Sequence, residues 1–341
     1  MEHVLIDFKM YNDLNQKMSN LKWLQNIDYF PNGFVDTSKV LKFRSLKRER
    51  VVILDRNLFD RLLKIATTGD TSQGKIQDIA TLMSWCMINK CGVYPYPAIS
   101  EHASLKGDER VALNEYKIFD EMFKRIDPFV WFNLAQGKIT KNPIVISRNI
   151  GFLSPQISFI EKSVDYLFNY MAMLHLAYVL RKEKNQLQRF FSYYEWYYNN
   201  SLVSRYTSAY VSLLFAGYAG FVGPKSVMGR DLNKVMAGCS NQAKDLCYLT
   251  EYSKDRVPAN YEFVFASDDH MLCTIYNLAN GFIEPIKLFE KNIKNNTKIV
   301  SKWVTDLTTT HKMLAIPKEQ YALYCEEQIQ KEINLLKSTF T

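Results

Sequence analysis

The sequence predicts an α/β fold: a small central parallel sheet flanked by helices, with a large all-helical insertion and a helical C-terminal tail. Three observations carry that expectation. The apolar runs 51-VVIL-54 and 261-YEFVFAS-267 are each followed by helical patterning. The first is continuous rather than alternating, as in strands buried on both faces. Between them, from about 110 to 230, the texture is helical only, and beyond 286 it is helical and lysine-rich. The expected organisation is an N-terminal extension over 1–50 and an α/β core over 51–109 and 231–285. A helical insertion subdomain fills 110–230, and a tail covers 286–341. A chain of 341 residues can hold that many parts.

Residues 1–50 mix short helical pieces with the turn 31-PNG-33 and end in the basic run 42-KFRSLKRER-50. Arg44, Lys47, Arg48 and Arg50 are its candidates for phosphate contact, although most such runs are solvated faces. The strand 51–54 leads into a helix with Leu58, Leu62, Leu63 and Ile65 near helical spacing, which 67-TTGDTSQG-74 ends. The segment 75-KIQDIATLMSWCMINK-90 is amphipathic. A short strand and a proline-shaped turn follow in 91-CGVYPYPAIS-100, and Pro97 suits the start of a helix whose first turn holds Ser100 and Glu101. Long helices are expected over 111–126 and 158–184, the second apolar nearly all round between 166 and 180. Another spans 235–254, then the turn 258-PAN-260, the second strand, and a helix over 271–279 closed by Asn280-Gly281.

Composition limits the function classes. A net charge of +8 favours an anionic partner such as nucleic acid. The six cysteines form no Cys-x-x-Cys pair and have no histidine at zinc-ligand spacing. They read as free thiols of a reducing, cytoplasmic setting. The N-terminus has no export-signal layout. The uncharged stretch 206–224 approaches membrane-spanning length, but its Gly, Ser, Thr and Tyr content predicts a buried helix and a turn. No membrane association is expected. The stretch 189-RFFSYYEWYYNN-200 crowds aromatic rings that could stack unpaired bases, build a core or form a protein interface.

Both strands end on acids: Asp55 after the first, Asp268 and Asp269 after the second. The carboxyl ends of adjacent parallel strands form the crevice where open α/β sheets bind ligands. Acids gathered there repel one another, and a hard divalent cation relieves the repulsion. Taken singly, an aspartate closing a strand is often an Asx turn or a helix cap. Glu101 could equally serve a helix dipole.

The ordered acids resemble the pattern of the PIN-domain nucleases. A hydrophobic strand opens into Asp55-Arg56-Asn57, and a glutamate near a later helix start follows in 97-PAISEHASL-105, giving Glu101. A third acid precedes the last core strand in 243-AKDLCYL-249, giving Asp245, with Asp231, Glu251 and Asp255 as competitors. The fourth follows that strand in Ser267-Asp268-Asp269, where Asp269 aligns best. The resemblance covers roughly 51–107 and 236–285, and the chain departs from the family in the long segment between Glu101 and Asp245. It implies one or two Mg²⁺ or Mn²⁺ ions held by Asp55, Glu101, Asp245, Asp269 and the adjacent Asp268, with metal-bound water attacking a phosphodiester. Asn57 would hold the Asp55 loop, and Ser267 would cap the following turn or reach the phosphate. His102 and His270 are neighbours rather than ligands.

By that resemblance the chain is an endoribonuclease, acting on RNA rather than DNA, of the kind found among toxins and phage-defence effectors. A homo-oligomer or a regulatory protein bound through the helical insertion is the implied assembly. Two alternatives stand beside it. A haloacid-dehalogenase-like phosphatase also opens with a strand ending in Asp, but needs a second Asp where Asn57 stands. A degenerate nuclease fold could act as a non-catalytic module binding nucleic acid or protein.

Overall fold

The computed structural model describes residues 7–71, 75–147, 159–251, 260–281, 284–292, 297–310 and 314–340. Among these residues it is mostly helical, with one four-stranded sheet of order β1-β4-β2-β3. The strands are β1 (Leu24–Gln25), β2 (Glu49–Leu54), β3 (Gly92–Tyr94) and β4 (Tyr261–Ala266). The chain divides into two compact units, residues 1–160 with 254–273, and 161–253 with 274–341.

The first unit contains the sheet and α1 (Phe8–Leu21), α2 (Thr37–Ser45), α3 (Arg56–Thr68), α4 (Ile76–Ile88), α5 (Tyr96–Lys106), α6 (Glu109–Arg125) and α7 (Pro128–Ala135). β2 pairs in parallel with β4 on one side, Val52 opposite Val264 and Leu54 opposite Ala266. On the other side it pairs in parallel with β3, Ile53 opposite Tyr94. β1 adds an antiparallel edge, Leu24 opposite Ala266. The sheet is therefore mixed rather than purely parallel. A two-residue strand has no periodicity to read, which is why β1 is invisible in the sequence.

Burial explains why this unit holds together. Val52, Leu54, Val264 and Ala266 are fully or nearly fully buried, and Leu58, Phe59 and Leu62 of α3 join the same core. Phe30, Phe43 and Trp85 meet at ring-centroid distances of 5.1 to 6.3 Å, joining the segment before β2 to α4. The division also places α6 and α7 here rather than in the insertion expected from 110 onward. The physical reason is amphipathicity: Ala112, Phe119 and Met122 of α6 bury one stripe in this core.

The second unit is helical: α8 (Val164–Lys182), α9 (Gln186–Asn200), α10 (Arg205–Phe215), α11 (Leu232–Glu251), the later part of α12 (His270–Ala279), α13 (Lys287–Asn292), α14 (Thr297–Thr310) and α15 (Tyr321–Lys337). The aromatic rings of α9 form its interior; Phe190, Tyr193, Tyr194 and Tyr197 are almost wholly buried. Those four rings are therefore not a base-stacking surface, because packing has enclosed them. Among the described residues no helix is long and apolar enough to cross a membrane, and the 206–224 stretch makes α10 followed by turns.

Candidate active site at the carboxyl ends of the parallel strands

The strand order reverses at β2, since β3 is added on one side and β4 on the other. Crevices at such reversals are where open α/β sheets accept ligands. Asp55 and Ser267 lie just past the paired ends. The Asp55 N–H donates to Ala266 O at 3.0 Å, and the Ser267 N–H to Trp23 O at 3.1 Å. The ladder thus carries both residues to the same edge.

Asp55 is the N-cap of α3, its Oδ1 accepting from the Leu58 N–H at 2.8 Å. Its Oδ2 accepts from the Ser267 hydroxyl. The residue is only 5% exposed. Burial raises its carboxyl pKa to about 7, against the lowering effect of these two hydrogen bonds; Asp268 and Asp269 raise it further through their charges. A carboxylate surrounded by water and donors would remain near 4, so the shift amounts to on the order of 4 kcal/mol against the ionised form.

The neighbouring acids have partners of their own. Asp268 Oδ2 lies 2.6 Å from Arg61 of α3 and 3.4 Å from Lys75 at the start of α4. Asp269 caps α12, its Oδ1 accepting from the N–H groups of Met271 and Leu272 at 2.7 and 3.2 Å. Ser267 accepts from the Asp269 N–H at 3.0 Å while donating to Asp55. Being fully buried, Ser267 holds the turn and does not reach a phosphate. Cys273 lies close by, and burial pushes its thiol up to about 12, so no thiolate nucleophile enters the site.

The remaining expected residues fall as follows. Glu101 lies on the second turn of α5 in the first unit. Asn57 is exposed on the first turn of α3, and the Asp55 carboxyl is held by Leu58 and Ser267 instead. Asp245 belongs to α11 in the second unit. Among its competitors, Asp231 accepts from the N–H groups of Asn233 and Lys234 as a helix cap. Asp255 and the side chain of Glu251 lie outside the described residues.

The basic run sits at the opposite end of β2. Six residues of strand put Arg48 and Arg50 roughly 20 Å from Asp55. Arg44 and Lys47 are exposed, while Arg48 pairs with Glu262 at 3.0 Å. Arg50 donates to the carbonyls of Arg44, Leu46 and Asn89 and lies over the Phe43 ring at 5.1 Å. Arg50 therefore serves the fold. The cations that pair with Asp268 are Arg61 and Lys75, which nothing in the sequence pattern singles out.

Another missed residue is Glu115 of α6, only 8% exposed. Its two oxygens grip Arg56 at 2.7 and 2.8 Å, and Arg56 also donates to Ala98 O at 2.9 Å. His102 Nδ1 stands 2.7 Å from Glu115 Oε1. One carboxylate thus ties α3, α5 and α6 around the residue that follows Asp55. The signal was present, because Glu115 interrupts the apolar stripe of Ala112, Phe119 and Met122.

The donors present decide whether the implied Mg²⁺ or Mn²⁺ fits. Such ions need several oxygen ligands converging on one point. Among the described residues no group of three His, Cys, Asp or Glu side chains stands close enough to hold a metal ion. The arrangement does not fit one as it stands, because Arg61 and Lys75 neutralise Asp268 and helix α12 occupies Asp269. No known protein family, curated protein or solved structure matches the chain.

Proposed function

We propose that the chain is a nuclease of the PIN-like kind, acting on RNA in the crevice outside β2 and β4. The observation that carries this reading is the meeting of adjacent parallel strands on Asp55, Asp268 and Asp269 where the strand order reverses. Two further features support it. Arg61 and Lys75 supply positive charge beside the acids, of the kind that stabilises a phosphate as its charge develops. Tyr94 and Tyr96, stacked at 6.0 Å at the carboxyl end of β3, offer aromatic surface to an unpaired base. Asp55, with a pKa of about 7, is the group able to accept or return a proton near neutral pH.

The test is cleavage of labelled single-stranded RNA with Mg²⁺, with Mn²⁺ and with EDTA. Wild type cuts, and Asp55→Asn loses about a hundredfold or more of the rate, the usual worth of an acid–base group. Cutting by Asp55→Asn at the wild-type rate, or no cutting under any condition, overturns the reading.

A second reading has one observation in its favour: Asp268 and Asp269 are already satisfied by protein partners. RNA binding without cleavage in every metal condition assigns the chain to a non-catalytic module. Release of phosphate from a generic phosphomonoester, lost in Asp55→Asn, assigns it to the phosphatases instead.

A further inference from the structure

The second unit contains a buried pair of ionisable residues that the crevice chemistry does not use. His175 of α8 and Glu332 of α15 are 6% and 2% exposed. Their side chains meet at 2.8 Å between Nδ1 and Oε2. A buried carboxylate is costly without a donor. An ionised Glu332 can only accept, so Nδ1 carries the proton of this contact, and in the tautomer with that single ring proton Nε2 is an acceptor. Trp196 of α9 fixes the ring plane, stacked at 4.0 Å and 5°. Among the described residues Nε2 has no hydrogen-bond partner.

His175 lines an open cavity of about 270 Å³ between α8 and α9. Tyr178 and Lys182 continue the same face of α8, and Glu195 and Trp196 line the facing side of α9. Glu183 and Glu195 outnumber Lys182 in this lining. The Lys182 ammonium is moreover turned onto Tyr178, donating to its hydroxyl at 2.7 Å and lying 5.2 Å from the ring centroid. In a chain of net charge +8, this lining carries two carboxylates against one ammonium.

We propose that this cavity binds a small organic cation of the alkylamine class. Its ammonium N–H donates to His175 Nε2 and pairs with Glu195, while its carbon chain lies against Trp196 and Tyr178. Amines combine the donor, the charge and the apolar body that this lining accepts. Glu332 is a positioning residue, holding the imidazole so that Nε2 is available.

The probe is 1,4-diaminobutane, titrated into the full chain by calorimetry at constant ionic strength with no divalent ion present. Because the chain is strongly basic, general attraction does not produce a saturable signal. Wild type is expected to bind saturably, and Glu195→Gln, an exposed position that leaves the fold intact, to bind about tenfold more weakly, a 1.4 kcal/mol change. His175→Gln is expected to lose binding while retaining the wild-type circular dichroism spectrum. The proposal is overturned if wild type gives no saturable heat, if Glu195→Gln binds as wild type does, or if inorganic phosphate saturates the cavity instead.

Discussion

At the scale of single residues, Asp55 combines two duties that conflict electrostatically. It caps α3 and holds Ser267, both of which favour a carboxylate, yet it is buried beside two other acids. Burial prevails, so the folded state retains a proton up to about pH 7 that the unfolded chain releases near 4. Between those limits the native state binds more protons than the unfolded state, and the contribution of Asp55 to stability falls as pH rises. Asp55→Asn removes that titration. The melting temperature of the variant relative to wild type should therefore rise from pH 5 to pH 8, reflecting roughly 2–3 kcal/mol. Parallel profiles for the two proteins would refute the assignment. The sequence disclosed that Asp55 ends a strand. It could not disclose that Ser267, more than two hundred positions away, would donate to it.

At the scale of elements, Glu115 of α6 accepts from Arg56 of α3, which also donates to Ala98 O of α5, so one carboxylate and one guanidinium join three helices. Removing one member of a buried ion pair leaves the other uncompensated, which costs 3–5 kcal/mol in measured cases. Arg56 retains Asp60 as a partner, so Glu115→Ala should cost about 3 kcal/mol, at the low end of that range, read from the urea midpoint. A change below about 0.5 kcal/mol would place Glu115 among ordinary surface acids. The helices themselves were legible because their apolar spacing is long and regular. Thus 75–90 gave α4 and 261–267 gave β4. The short strand expected within 91–100 is β3, whereas the two residues of β1 carry too little pattern, and only pairing to β4 makes them a strand. The aromatic run of α9 was ambiguous because rings that stack on bases and rings that fill cores share one chemistry; burial decided between them.

At the scale of the whole molecule, two compact units share one chain that crosses between them more than once. Units with separate cores unfold with some independence. Scanning calorimetry should therefore give a van't Hoff enthalpy below the calorimetric one, and a ratio of unity would mean that the units melt together. The same division governs the acids. Asp55, Glu101, Asp268 and Asp269 belong to the first unit and Asp245 to the second, a membership that their order along the chain does not reveal. The sequence by itself determined the strands that end in acids, the helices with periodic apolar faces, and the absence of a spanning helix among the described residues. Those follow from spacing within short windows, where local sterics and burial set the structure. Only the tertiary structure decided which charges meet: Arg61 and Lys75 with Asp268, Arg56 with Glu115, His175 with Glu332. Those pairs join separate elements, so they depend on distance in space, which spacing along a chain encodes only within one helix.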